Sequence, residues 1–530
     1  MRPCAPFDAA RLRGPARALA WAAALAAPAA ASATPDESLA VRDPIHAELR
    51  VLDLYPSGAL DDRFRLPHLG TLPLQRHELQ GDGAPLAPSH PVRRIAAARL
   101  ERLLGRDPVP GWIADPAHRA TRRLLTYSAT DREHIELSAG LEGAGETLDD
   151  RSRFVTGSGL HLRSAIGLDR WLVYSHFYAG HVDDARRFAD PIVPGNDFIV
   201  HTEDTYLAYT AEDGAWSGRF GRSRWHWGPG REGSLVLSGS APALTGLSLA
   251  AHFVAIRVDV IALSATLDQA AGEQLAAHRL EWQPFDALRI GVTEAARYNS
   301  EVWQPLYLAG AIPYVLVQRF LVQDSPDSSG VLRNNILFGL DASWRVADGT
   351  RLYGEFLIDD LHAETNDNPN KLAWQLGWEG AGSAFGQRFT WGGELTRVWR
   401  YVYTSFFDRE YAIQGEPLGF PSGPDTRRLR LTGAWDPSVD WQVFGGVSLT
   451  DRGENRIDSP YLPGDPKPAP GSFEGVIERT RDIEAGLRWW PAGGVDLAVA
   501  AGWRRVDDAS HVAGAEERGV VGRVVVRLVR

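Results

Sequence analysis

Between Gly218 and Gly239 the chain reads GRFGRSRWHWGPGREGSLVLSG, and its first fourteen positions hold Arg219, Arg222, Arg224 and Arg231 with Trp225, His226 and Trp227. Guanidinium forks bind carboxylates or phosphates through paired N–H bonds. Indole faces carry sugar rings or further guanidinium groups. The bend at Gly228-Pro229-Gly230 limits the freedom lost on binding. These seven residues are therefore the candidate binding residues, and the ligand they suit is an acidic polymer. The competing reading makes Trp225 and Trp227 girdle aromatics and pairs the arginines with acids of a lumen wall.

Catalytic punctuation is missing. There is no G-x-S-x-G, H-E-x-x-H, Walker A loop or helix-opening G-x-G-x-x-G. Asp359-Asp360 with His362, and Asp183-Asp184 with His181, read as solvated charges where strands run into loops. A hydrolase would need Ser and His on one face of a strand. Ser175 and His176 are adjacent, and His161 and Ser164 are three apart, so both pairs split across faces. We expect no catalytic residue, no metal site and no cofactor.

The elements that hold these residues follow from the rest of the chain. Residues 1–33 carry a basic start, a short Ala-rich apolar run and Ala31-Ser32-Ala33, the pattern of a secretory signal peptide. The only Cys (Cys4) and the only Met (Met1) lie in that leader. Without it the chain has no thiol for disulfides, thiolate metal sites or nucleophiles. Without it, too, 52 basic residues face 66 acidic ones, a net charge of −14. That balance argues against a nucleic-acid partner. Only Lys371 and Lys467 are lysines. Arginine suits a wet, fixed wall, because its planar fork bonds carboxylates in place.

No later stretch offers about 20 consecutive apolar residues, so no spanning helix is expected. From Glu133 onward the hydrophobic period is two. In KLAWQLGWEG, Leu372, Trp374, Leu376 and Trp378 share one face; in the last segment Val524, Val526 and Leu528 oppose Arg523 and Arg527. Short turns alternate with long loops, the signature of an outer-membrane barrel. Nine near-full segments run from 131–143 to 286–297 and nine from 334–346 to 518–530. The expected fold is an all-β, 18-stranded antiparallel outer-membrane β-barrel with a small helical module, with sixteen strands if one early hairpin fails. The expected division is a signal peptide over 1–33, a mostly helical periplasmic module over 34–128 and the barrel over 129–530. Parity puts the Arg/Trp block at the outer rim, and the module at the periplasmic mouth. Trp171, Trp216, Trp282, Trp344, Trp435, Trp441, Trp489 and Trp490 are candidate girdle aromatics. The apolar loop Asn299 to Arg333 should fold inward as a plug or pack over the barrel.

GRSRWHWGPGREGSLVLSGSAPALTGLSL resembles the Wzi-type capsule-assembly outer-membrane proteins in its Arg-rich strand, its Trp-Gly-Pro-Gly and its SLxLS…AP segment. RLYGEFLIDDL resembles that family's strand ending in paired aspartates, and LRVLDLYPSGAL…LGTLPLQRHEL its N-terminal helical region. The resemblance implies an 18-stranded barrel with a blocked lumen and a lectin-like role, holding capsular or exopolysaccharide at the cell surface. The expected partners are acidic polysaccharide, outer-membrane lipid and polysaccharide export machinery, around a monomer in the outer membrane. The alternative is a porin or export channel for anionic saccharides, with Arg289, Arg430, Arg488, Arg523 and Arg527 on its lumen face.

Overall fold

The computed structural model describes residues 45–55, 91–104, 133–147, 154–183 and 197–529, apart from 213, 311, 323–333, 363–367, 407–408, 463 and 492–494, together with the short paired segments 38–39, 71–72, 74–75, 111–113, 125–130 and 192–195. The signal peptide read over 1–33 lies outside the described residues. Eighteen long strands close into an antiparallel barrel. The first nine are β1 (Glu133–Thr147), β2 (Phe154–Leu168), β3 (Trp171–Val182), β4 (Phe198–Thr210), β5 (Trp216–Ser223), β6 (Leu244–Phe253), β7 (Val258–Asp268), β8 (Glu273–Phe285) and β9 (Leu288–Asn299). The second nine are β10 (Asn335–Ala347), β11 (Thr350–Asp360), β12 (Lys371–Ala384), β13 (Gln387–Val398), β14 (Thr426–Asp436), β15 (Trp441–Arg452), β16 (Glu478–Trp489), β17 (Val495–Asp507) and β18 (Glu516–Val529). Each of the eighteen expected segments falls on one of these strands.

The outward face explains why a barrel forms. Leu431, Trp435, Val447, Ile483, Leu487, Val499, Trp503 and Val524 all stay exposed, an apolar band that only lipid can cover. Aromatics gather at the rim with short turns: Tyr209 packs against Trp171 and Trp216 (both 4.9 Å), and Trp441 stacks on Trp489 (5.5 Å). Trp490 is an exception to the expected girdle. It is buried, with the Arg99 guanidinium 4.3 Å over its ring.

Closure is uneven. β1 pairs with β2 over fifteen residues but with β18 over only seven, Gly140–Glu146 against Val529–Arg523. The lower part of the same β1 edge, Glu133–Leu137, pairs instead with the short segment Leu125–Thr130. The segment preceding the barrel thus completes the seam that the last strand leaves short.

Two helices lie within the short-turn end, which in this class faces the periplasm. They are α1 (Ile45–Asp53) and α2 (Pro91–Leu104). Ile45, Leu49 and Leu52 of α1 and Val92, Ile95 and Leu100 of α2 are buried. Their charged groups bond to the wall. Asp53 accepts from Arg289 (2.5 and 2.8 Å) and Arg351 (2.5 Å). Glu48 accepts from Arg388 (2.5 and 3.0 Å) and Arg99 (3.2 Å). Sequence parity puts these helices at the mouth; their bonds place them inside the barrel end.

The described part of the apolar loop after β9 packs over the barrel and does not enter the lumen. Its helices α3 (Pro305–Leu308) and α4 (Tyr314–Val322) lie on the outside of the wall. Alternation decides this. Leu275, Ala277, Leu263 and Ala265 face the interior cluster around Trp227, so the intervening Ala262, Ser264, Ala276 and Ala296 face outward, yet they are buried. Tyr298, Tyr307 and Tyr314 pack above them, and the Tyr314 amide donates to Glu294 (2.8 Å).

Candidate functional site

β5 ends at Ser223, and the chain then turns into the lumen instead of standing at the outer rim. His226-Trp227 pairs with Thr71-Leu72, and Trp227 also bridges to Leu237. Trp225, Trp227, Leu235 and Leu237 join a buried cluster with Tyr403, Tyr411, Leu418 and Phe420 from the loop between β13 and β14. That loop therefore sits over the inward segment. The Tyr403 hydroxyl donates to the Leu235 carbonyl (2.6 Å) and accepts from the Phe420 amide (3.0 Å).

The bend crosses to the far wall and is fixed there by three side chains. Glu355 on β11 accepts from the Gly230 and Leu235 amides (both 2.8 Å) and from the Ser234 hydroxyl (3.0 Å). Glu394 on β13 accepts from the amides of Arg231 (2.8 Å) and Glu232 (3.2 Å) and from the Tyr353 hydroxyl (2.8 Å). Gln375 on β12 donates to the Gly233 carbonyl (3.2 Å) and to Glu394 (2.8 Å). Buried backbone groups that no ladder pairs are thus satisfied by the wall. This close approach is what the glycines allow. A Cβ on Gly228, whose φ is +141°, would lie 2.4 Å from Glu355 Oε1. One on Gly230 would lie 2.2 Å from Gln375 Oε1 and from the Gly233 carbonyl. Arg50 of α1 joins this bend to the helices, donating to the Pro229 carbonyl (2.7 Å) and to Glu379 (3.2 Å).

The seven candidate residues are therefore not one surface. Arg219 faces the lumen and is buried, its guanidinium 4.3 Å over Tyr206 and 5.8 Å over Trp225. Arg224 is buried and donates to the Ala241 carbonyl. Trp225 and Trp227 are buried with ring centroids 6.2 Å apart, so their faces serve packing. His226 is buried and accepts from the Gly239 amide at Nδ1 (3.1 Å). Burial and the nearby Arg50 push its pKa down to about 4, so it is neutral. Arg222 lies on the outward face of β5, where it donates to the Thr202 carbonyl (2.9 Å). Arg231 lies in the lumen 3.8 Å from Glu379, with 40 % of its side chain exposed. Asp359 corrects the reading of solvated rim charges. It faces inward, is buried and accepts from the Tyr403 amide (2.6 Å), while its neighbour Asp360 pairs with Lys371 (2.7 Å) at the rim.

The residues that fix the bend were not legible as such. Glu355, Gln375 and Glu394 stood out only as polar members of alternating strands, 120 to 163 positions beyond the residues they bind. The signal that could have found them is the carboxylate and amide set on the inward face of three consecutive strands.

Beyond the bend the lumen wall changes character. On β8 to β13, Arg279, Glu281, Glu355, Gln375, Glu379 and Arg388 are all buried. On β14 to β18, Arg428, Arg430, Glu484, Arg488 and Asp482 are half-exposed, and Arg523 is exposed. Arg428 meets Glu232 at 3.0 Å, Arg430 also meets Glu484, and Arg504 takes Asp482 at 2.6 Å. The interior is thus filled on one side and wet, with paired arginines, on the other. Among the described residues no cluster of His, Cys, Asp and Glu is arranged to hold a metal. Ser175 faces outward and His176 inward toward His161 (3.0 Å), as the alternation required.

No family model matches the chain, and no curated protein matches it. Solved structures do. The chain is similar to Wzi of Escherichia coli, described as an outer-membrane protein involved in group 1 capsule assembly and a carbohydrate-binding β-barrel, with 14 % identity and a TM-score of 0.61 over 93 % of this chain and 100 % of that one. OprD of Pseudomonas aeruginosa also matches, at 12 % identity and a TM-score of 0.42 over 74 % of this chain and 94 % of that one. The chain has the fold of an outer-membrane β-barrel of the Wzi kind. With its apolar band and aromatic rim it is an outer-membrane protein.

Proposed function

We propose that the protein binds an acidic capsular or exopolysaccharide and attaches it to the cell surface, without turnover, as a Wzi-type capsule-assembly barrel. The observation that carries this reading is the segment Trp225–Leu237, held across the lumen by Glu355, Gln375 and Glu394 and joined to α1 through Arg50. A lumen occupied in this way suits holding a chain at the mouth better than passing it. The carbohydrate binding described for Wzi of Escherichia coli supports the same reading.

The contacts fall to arginines that water reaches: Arg222 outside, and Arg231, Arg428 and Arg430 in the lumen. They meet uronate or pyruvate carboxylates through paired N–H bonds. Arg219, Arg224, Trp225, His226 and Trp227 serve indirectly, by fixing the segment that carries Arg231. Residues 34–128 act as the periplasmic helical module before the barrel of 129–530, and the leader over 1–33 is removed on export. The protein works as a monomer set in outer-membrane lipid, receiving polymer from an export machinery.

The test is a deletion strain complemented with wild type or with R222Q/R231Q/R428Q. Each paired arginine contact contributes about 1 kcal/mol, multiplied along a repeating polymer. Polymer should move from the cells into the medium while the barrel still folds. Unchanged cell-bound polymer would sink the proposal. A second reading, an anion channel, is favoured by the wet arginine wall of β14 to β18. A large steady single-channel conductance would support it.

A further inference from the structure

The outward face above the apolar band carries a row of arginines on three successive strands. Register places Arg481 of β16 opposite Arg505 of β17, and Arg505 opposite Arg518 of β18. All three share the outward parity of the exposed Ile483, Trp503 and Val520, which form the next outward row on the same strands. Strands are about 4.8 Å apart and two residues span about 6–7 Å. The three guanidinium groups therefore lie within one headgroup's width, one step above residues that need lipid.

Like charges directly opposite one another in a ladder are destabilising. The local acids offset this only in part. Asp507 meets Arg481 (3.4 Å) and Arg505 (2.7 Å), and Glu516 meets Arg505 (2.8 Å) and Arg518 (2.5 Å). Three guanidinium groups share two carboxylates, and Arg481 and Arg518 keep 51 % and 56 % of their side chains exposed. A charged side chain facing the hydrocarbon interior would cost about 2–4 kcal/mol, so this row belongs at the level of the lipid headgroups.

We propose that Arg481, Arg505 and Arg518 form a binding site for the phosphate-bearing headgroup of an outer-leaflet lipid. A phosphate offers several acceptor oxygens to donors that Asp507 and Glu516 leave unmet, and it removes the like-charge repulsion along the row. The site faces away from the lumen and does not depend on the polysaccharide reading. Lipid held here would fix one wall of the barrel in the leaflet.

The test uses the full chain, delipidated in a zwitterionic detergent and titrated with bis-phosphorylated lipid A or with the same lipid after phosphate removal. Binding is read by native mass spectrometry, and folding by the shift of the barrel on an unheated gel. Wild type should prefer the phosphorylated form by about tenfold or more. R481Q/R505Q/R518Q should lose that preference, whereas R456Q, which removes an exposed loop charge, should keep it. If the triple variant does not fold, R518Q alone should still weaken the preference severalfold. Equal affinity of wild type for the two lipids would overturn the proposal. So would a triple variant that keeps its lipid preference while shedding acidic polymer from cells, which would make the row a polymer site.

Discussion

Gly230 sits where no side chain fits, between Gln375, the Gly233 carbonyl and Glu355. Gly230→Ala should cost about 1–3 kcal/mol by overpacking and lower the unfolding temperature in detergent. An unchanged temperature would show that the bend has room to move. Asp53 makes the opposite case, a charge that must stay. Burial pushes its pKa up, but Arg289 and Arg351 outweigh it and hold the carboxyl at about 2. Asp53→Ala leaves two buried guanidinium groups without that partner, at a cost of about 3–5 kcal/mol. Limited proteolysis of the full chain should then cut near α1 while the barrel survives. His226 adds a pH dependence. Its pKa falls from 6.5 to about 4 on folding. The unfolded chain therefore binds more protons between those values, and stability falls as pH drops from about 6.5 to about 4, by about 3 kcal/mol. His226→Gln should flatten that slope in thermal unfolding measured across the range. The sequence marked this block as special through its Gly-Pro-Gly and its arginines. It could not say that the block folds inward, because the groups that demand glycine come from strands more than a hundred positions away.

At the scale of elements, alternation located all eighteen strands, since each must turn one face to lipid and one to water. It failed where that contrast is missing. β4 starts at Phe198, six residues before its expected start, because a register shift between Thr202 and Asp204 breaks the period. β8 starts at Glu273, four residues early, because Gln274 bonds to Thr266 and the Ser300 carbonyl and Ala276 packs under Tyr307 and Tyr314, so neither meets lipid or need be large and apolar. The same cover explains the apolar loop, whose exposed Val315, Leu316 and Phe320 continue the lipid-facing surface. Tyr307 and Tyr314 hold it down, with ring centroids 5.0 Å apart and neither side chain exposed. Removing both with Y307A/Y314A should cost about 3 kcal/mol or more at this patch. Protease should then cut within 300–322 while the unheated-gel mobility of the barrel persists; resistance to cleavage would count against the packing described.

For the whole molecule, the filled half of the lumen predicts low conductance in planar bilayers. Shortening the bend between Gly228 and Leu235 should raise it, and a wild type that already conducts like an open pore would contradict the occlusion. The fold class was legible because turn lengths alternate as strongly as hydrophobicity does. Which loops turn inward was not, because an inward loop and a rim loop have the same composition until the wall that receives them is known. The uneven closure of the barrel has a mechanical consequence. The last strand is held by thirteen pairs on its β17 side and by only seven on its β1 side, so it comes away first along the weaker line. Under a pull applied to the C-terminus, β18 should peel from β1 before it parts from β17, and the segment Leu125–Thr130 beneath it acts as the stitch that stops the tear from running the full height of the wall.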